Sequence, residues 1–378
     1  VDGIAAPLPA LHDLVALDDL FQPLTVRSLT VPNRFAMAPM TRQASPGGVP
    51  GADVAEYYRR RAAGGVGLII TEGVRLFDPP AGYPEAIPTI AGDDVLAGWA
   101  QVVDAVHGEG GTIAAQLWHQ GAERGGADGV APVSPSGVNG HGEPTGRALG
   151  ADDLPQIAAS FADGAVSARD AGFDAIELHG AHGYLLDEFF WEKTNLRADD
   201  YGGSLADRTR FPTEVVAAVR AAVGPDFPII FRFSQWKGTD YAASIAADPA
   251  QLQELLTPLI QAGVDVLHPS TRRHYVPAFP DHDPNLSLAG WTKKVTGAAV
   301  IAVGSVGLET QFRSEKRGQV IAPASVDRLV EQFDNGEFDV IAIGRALLAE
   351  PAWVNLLREG NLDRFGGYDP ETALAALA

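Results

Sequence analysis

No cysteine occurs in the chain, and that absence removes disulfides, thiolate nucleophiles, iron–sulfur clusters and cysteine-based zinc sites together. Methionine is scarce at two residues, and 28 basic residues face 48 acidic ones, for a net charge of −20 and a pI near 4.7. A surface of that sign repels phosphodiester backbones and anionic headgroups, so neither nucleic acid nor membrane partners are expected. No apolar run reaches the roughly 20 residues that span a bilayer. The opening VDGIAAPLPALHDLVALDDL lacks a basic flank, so export is not indicated and a cytoplasmic setting is expected. The chain begins at Val1 rather than Met, which leaves room for a processed segment ahead of it.

What is present is an ordinary globular balance, 46% apolar and 20% charged, with enough apolar side chains for a large core. Short apolar runs recur as strand, loop, helix: Phe35–Pro39, Leu68–Gly73, Ile113–His119, Ala175–Ala181, Ile229–Ser234, Val264–Ser270, Ala299–Ser305 and Asp339–Arg345. Eight such runs, continuously apolar rather than alternating, suit the doubly covered strands of a closed parallel barrel. The expectation is one (β/α)8 TIM barrel over residues 1–378, with a doubly wound open sheet as the alternative. Residues 1–33 read as an extension ending in a hairpin, LTVRSLTV (Leu24–Val31), that closes the amino-terminal floor. The longest connections, Gln120–Asp152 and Tyr184–Ser204, are Gly-, Pro- and Asp-rich and are expected over the catalytic rim, as is the polar stretch Gly307–Ala324.

Polar residues gather where these runs end. They are Pro39, Met40 and Thr41; Glu72 and Gly73; Gln116, Trp118 and His119; His179, His182 and Tyr184; Arg232 and Ser234; and Gly304, Ser305, Gly344 and Arg345. Barrel enzymes keep their chemistry at the carboxyl ends of strands, and a phosphate commonly sits after strands seven and eight, where glycine admits backbone N–H groups and arginine grips the oxygens. A phosphorylated cofactor is therefore expected. On residue types alone, His179 and His182 could bind zinc or satisfy buried backbone groups, and Arg232 and Arg345 could be plain ion-pair residues. Trp118 and His119 read as structural, with Trp118 also able to shape the pocket. Asn195, Arg197, Tyr201, Gly202 and Gly203 read as a fixed turn, and Arg59, Arg60 and Arg61 as a solvated helix face.

Six segments together carry a resemblance: NRFAMAPMTR (Asn33–Arg42), YYRRRAAGGVGLIITEG (Tyr57–Gly73), IAAQLWHQG (Ile113–Gly121), IELHGAHGYLLDEF with the following YGGSLADRTRF, FRFS (Phe231–Ser234) and IAIGRALLAEP (Ile341–Pro351). In these, and in their order, the chain resembles the old yellow enzyme family of flavin-dependent ene-reductases. The resemblance implies non-covalent FMN, with Pro39, Met40 and Thr41 at the flavin ring, Gly73 at its polar edge and Gln116 on its pyrimidine side. It also implies Arg232 near N1 and O2, and Gly304, Ser305, Gly344 and Arg345 around the phosphate. His179 and His182 match the family's substrate anchor, with His179 also beside the cofactor, and Tyr184 matches its proton donor. Tyr83 and Trp118 resemble substrate-lining residues. One branch of the family has cysteine where this chain has Thr41, so the resemblance is to the branch in which a hydroxyl tunes the flavin.

The implied reaction is a two-step cycle. NAD(P)H reduces FMN and leaves, and an α,β-unsaturated carbonyl or nitro compound then takes its place, receives hydride and is protonated by Tyr184. Reduction of nitrate esters or nitroaromatics is the nearest alternative. A zinc hydrolase using His119, His179 and His182 and a non-catalytic FMN carrier are more distant ones. A 2-hydroxy-acid oxidase would need an arginine for the substrate carboxylate that the matched segments do not supply. The physiological substrate, the choice between NADPH and NADH, and monomer against homodimer stay open.

Overall fold

The computed structural model describes residues 15–77, 81–125, 128–311, 319–374 and 377. Residues 312–318 of the polar stretch Gly307–Ala324, and residues 1–14 of the amino-terminal extension, lie outside the described residues.

The strands, in chain order, are β1 (Leu24–Val26), β2 (Leu29–Val31), β3 (Phe35–Met37), β4 (Leu68–Arg75), β5 (Thr112–Trp118), β6 (Val133–Ser134), β7 (Arg147–Ala148), β8 (Ala175–His182), β9 (Ile229–Lys237), β10 (Val266–Pro269), β11 (Ala299–Val303) and β12 (Val340–Ile343). Eight of them close into a parallel barrel in the order β10-β11-β12-β3-β4-β5-β8-β9, with helices such as Asp93–His107, Leu154–Asp170 and Pro249–Ala262 in the connections. The expected TIM barrel is therefore present.

Strand periodicity sorts the side chains into two sets. Phe35, Ile69, Ile113, Ile176, Ile229, Leu267 and Ile341 belong to the large core that includes the helices. Their neighbours Ala36, Leu68, Ile70, Ala114, Ala175, Ile230, Val266, Ile301 and Ala342 form a second core together with Leu29 and Val31. The latter two come from the β1–β2 hairpin, paired antiparallel with Leu24 opposite Val31, so the hairpin plugs the barrel floor as expected. Continued upward, the interior set of β5, β8, β9 and β10 becomes polar, with Gln116, Glu177, Arg232 and His268 all buried. That switch from aliphatic to polar marks the base of the site.

Several expectations need correction. The fifth run, expected to end at Ser234, continues to Lys237 because that lysine pairs with Asp187 inside the protein, and the sixth begins at Val266 rather than Val264. The connection Tyr184–Ser204 is not all rim loop: it opens with the helix Leu185–Phe190, every residue of which is buried. Asn195 does pin its turn, donating from Nδ2 to the carbonyls of Phe189 and Tyr201 at 2.8 Å each. Arg59 fits the solvated reading through Glu56 and Glu109, but Arg61 does not. Arg61 is buried against the Tyr57 ring, 3.8 Å from its centroid, and donates to the carbonyls of Tyr57 and Leu347.

Candidate active site

A cavity of about 420 Å³ opens at the carboxyl ends of the barrel strands. Of the residues singled out by sequence, Pro39, Met40, Thr41, Gln116, Trp118, His179, His182, Tyr184, Arg232, Gly304, Ser305, Gly344 and Arg345 all line it. Gly73 and Tyr83 do not. A Cβ on Gly73 would lie 2.3 Å from Cε3 of Trp118, so the glycine admits the indole. Tyr83 is tied to Gln120, which accepts its backbone N–H at 2.9 Å. The barrel order sets β11 and β12, with Gly304, Ser305 and Gly344 at their ends, across the mouth from β5 and β8.

The β8 side holds the aromatic and imidazole groups. The rings of His179 and His182 lie 5.1 Å apart, Tyr184 is 5.0 Å from His179, and Trp118 meets Tyr184 edge-on at 4.8 Å. Nδ1 of His179 accepts the Ala181 N–H at 3.3 Å, which puts the proton of a neutral ring on Nε2. Burial, reinforced by the nearby Arg232 guanidinium, pushes His179 down to about 3. Burial and the neighbouring His179 likewise hold His182 well below its ordinary range. Both rings are thus neutral near pH 7. His182 has φ 66°, a left-handed conformation unusual for a non-glycine residue. It is held there by its N–H to Ser234 Oγ at 2.9 Å, by Nε2 against Ser270 Oγ at 2.8 Å, and by stacking on Trp236 at 4.5 Å. Strain of this kind persists only where the surroundings over-determine it.

On the opposite side, Gly304 has φ 139°, and a Cβ there would meet Thr271 O at 2.7 Å and Arg273 N at 2.9 Å. Only glycine fits that wall. Arg345 reaches Ser305 Oγ at 3.3 Å and the Thr310 carbonyl at 2.5 Å, beside Gly344.

Sequence reading passed over Glu177, His268, Ser270 and Trp236. Glu177 accepts from Gln116 Nε2 at 2.8 Å and from His268 Nδ1 at 2.5 Å, and lies 3.9 Å from Arg232. Arg232 thus has an anionic neighbour within the chain itself. The available signal was a carboxylate inside an apolar strand, AIELHGAH, which demands buried partners.

Two buried N–H donors around this site, Arg232 Nε and Trp118 Nε1, have no hydrogen-bond partner among the described residues. Both residues line the cavity, and the Gly304 wall at the end of β11 lies across the mouth from Trp118 on β5 and two strands from Arg232 on β9. That donor set fits a flat, acceptor-rich ring with an anionic tail, and hence FMN. Among the described residues no group of three His, Asp or Glu side chains is placed to hold a metal ion, and no helix is long and apolar enough to cross a membrane.

A sequence profile of the NADH:flavin oxidoreductase / NADH oxidase family matches residues 19–363. The NADH oxidase of Thermoanaerobacter brockii is 35% identical over 353 residues, covering 90% of this chain, although the chain spans only 51% of that relative's length. The 12-oxophytodienoate reductase 7 of Oryza sativa subsp. japonica is 33% identical over 358 residues, covering 90% of this chain and 87% of the relative. Morphinone reductase in complex with tetrahydroNAD superposes with a TM-score of 0.77 at 32% identity, covering 94% of this chain and 93% of that one. The chain therefore belongs to the old yellow enzyme family of flavin oxidoreductases.

Proposed function

We propose that this protein is an FMN-dependent ene-reductase, in which NAD(P)H delivers electrons that are then used to reduce the activated C=C bond of α,β-unsaturated carbonyl or nitro compounds. The observation that carries the reading is the packing of two neutral imidazoles and a phenol against one cavity wall. Thr41, Gln116 and Arg232 would hold the ring of FMN, and Gly304, Ser305, Gly344 and Arg345 its phosphate. When bound, FMN supplies the hydride chemistry that no side chain of this protein can perform.

The protein's own part is binding, polarisation and proton delivery. His179, with its proton on Nε2, donates to a substrate carbonyl or nitro oxygen, and His182 completes the anchor. Neutral donors suit this task because charge accumulates on that oxygen only as the alkene is reduced. Tyr184, 5.0 Å from His179, reaches the same bound molecule and gives its phenolic proton to the α-carbon. Trp118 and Trp236 flank the pair and limit the room left for water.

Rapid mixing separates the two half-reactions. Tyr184→Phe should leave bleaching by NADPH within a few-fold of the parent protein and slow recolouring by cyclohexenone by about 10²-fold or more. Equal losses in both halves would exclude Tyr184 as the proton donor.

A further inference from the structure

We propose that Glu177 sets the reduction potential of the bound flavin, by partly neutralising Arg232 and by fixing which end of the Gln116 amide faces the cavity. The inference rests on the FMN reading above and extends it to a residue outside the cavity wall.

Glu177 is fully buried on β8, directly in register with Gln116 on β5, while Arg232 on β9 is in register with His268 on β10. Four strands thus contribute one carboxylate, one amide, one guanidinium and one imidazole to a single interior cluster, with Arg232 two residues further along the barrel than Glu177. Burial opposes the charge of Glu177, but His268, Arg232 and Gln116 outweigh it and hold the carboxyl below its usual range. His268 is held by burial below the ordinary histidine range. Glu177 Oε2 accepts from His268 Nδ1 at 2.5 Å, while its Oε1 accepts from Gln116 and faces Arg232. The carboxylate acts on Arg232, 3.9 Å away, whose Nε has no hydrogen-bond partner among the described residues and whose Nη2 meets Ser270 Oγ at 3.2 Å.

The carboxylate also decides the orientation of Gln116. A carboxylate only accepts, so the Gln116 group facing it must be Nε2, as found at 2.8 Å. The amide oxygen is then the atom left for the cavity, an acceptor suited to the imide N–H of a flavin. A guanidinium near reduced flavin stabilises its negative charge, and a carboxylate behind that guanidinium works against it. Glu177 should accordingly keep the potential lower than Arg232 alone would.

The experiment compares FMN-loaded parent protein with Glu177→Gln by dye-equilibrated potentiometry and by sulfite titration, since sulfite addition to flavin follows the same charge stabilisation. Expected is an upward shift, with about tenfold tighter reduction equilibrium, which is about 30 mV for a two-electron couple, and tighter sulfite binding. Glu177→Asp, which keeps the charge, should stay near the parent. A Glu177→Gln potential and sulfite affinity within twofold of the parent would overturn the proposal. If Glu177→Gln does not fold, Glu177→Leu with His268→Leu removes the pair in apolar form, and the same upward shift is required of it. Loss of flavin from both variants would assign Glu177 to cofactor retention and equally overturn it. A parent protein that stays colourless with excess FMN would instead sink the flavin reading itself.

Discussion

Lys237 Nζ donates to Asp187 Oδ1 at 2.7 Å, and neither side chain has any exposure to solvent. The second carboxylate oxygen accepts the Gly183 N–H at 2.7 Å, and Nζ also donates to the Ser234 carbonyl at 3.0 Å. The pair therefore straps the end of β9 to the turn between His182 and Tyr184, and Ser234 in turn receives the His182 N–H. Two charges buried this way are costly to separate, because the survivor is left without a partner.

Lys237→Met is accordingly expected to lower stability by about 3–5 kcal/mol, measured by chemical denaturation. Adding Asp187→Leu should recover much of that loss, since the orphaned carboxylate disappears with it. If the double variant is as unstable as the sum of both single ones, the pair is not coupled and the strap is not what holds the turn.

The barrel was legible because its strands are buried on both faces and so read as unbroken apolar runs, and because the hairpin LTVRSLTV repeats a strand pattern across Arg27 and Ser28. The cavity wall was legible because its residues sit where those runs stop. What escaped lies within the runs or rests on distant partners. Glu177 and His268 are single polar residues in apolar strands, and only the register of β8 with β5 and of β9 with β10 shows what they touch. Arg61 stands in a run of three arginines and looked like a solvated face. Its burial depends on Leu347, nearly the whole chain away in sequence, whose carbonyl it reaches at 3.1 Å. Lys237 was placed beyond the strand for the same reason, as its partner Asp187 lies in another connection.

Gly73 gives a test of how the Trp118 wall is built. Its missing side chain is replaced by the indole, with a hypothetical Cβ at 2.3 Å from Cε3 and 2.8 Å from Cδ2. Gly73 pairs in register with Gln116, which lines the cavity. Gly73→Ala should therefore move the indole, which stacks on His179 at 6.0 Å between centroids and meets Tyr184 at its edge. A stability loss of about 1–3 kcal/mol is expected, as for other overpacked cores. A phenolate resembles the enolate of the proposed reaction, and its binding, read from a long-wavelength charge-transfer band with FMN, should weaken more than FMN binding. Unchanged phenol affinity would show that Trp118 does not set the geometry of the His179–Tyr184 wall.

Glu72 supplies a pH dependence with a definite sign. Its Oε2 accepts the backbone N–H groups of Arg42 at 2.8 Å and Gln43 at 3.1 Å, clamping the segment that follows Thr41. Burial nevertheless dominates those two bonds and pushes the carboxyl up to about 7. In an unfolded chain a glutamate titrates near 4.3. The folded state thus holds this proton more tightly, so the group's stabilising contribution is complete below about pH 4.3 and is lost as pH rises to about 7. The gap corresponds to about 4 kcal/mol, nearly all of it gone by pH 8. Glu72→Gln keeps an acceptor oxygen for the two N–H groups and has no proton to lose. Denaturation at pH 5, 6, 7 and 8 should therefore show the parent losing about 2–3 kcal/mol relative to the variant across that range. Other carboxylates titrate in both proteins and cancel in the difference, so parallel profiles would mean that Glu72 is already ionised in the folded state at pH 5, with the Arg42 and Gln43 N–H groups outweighing its burial.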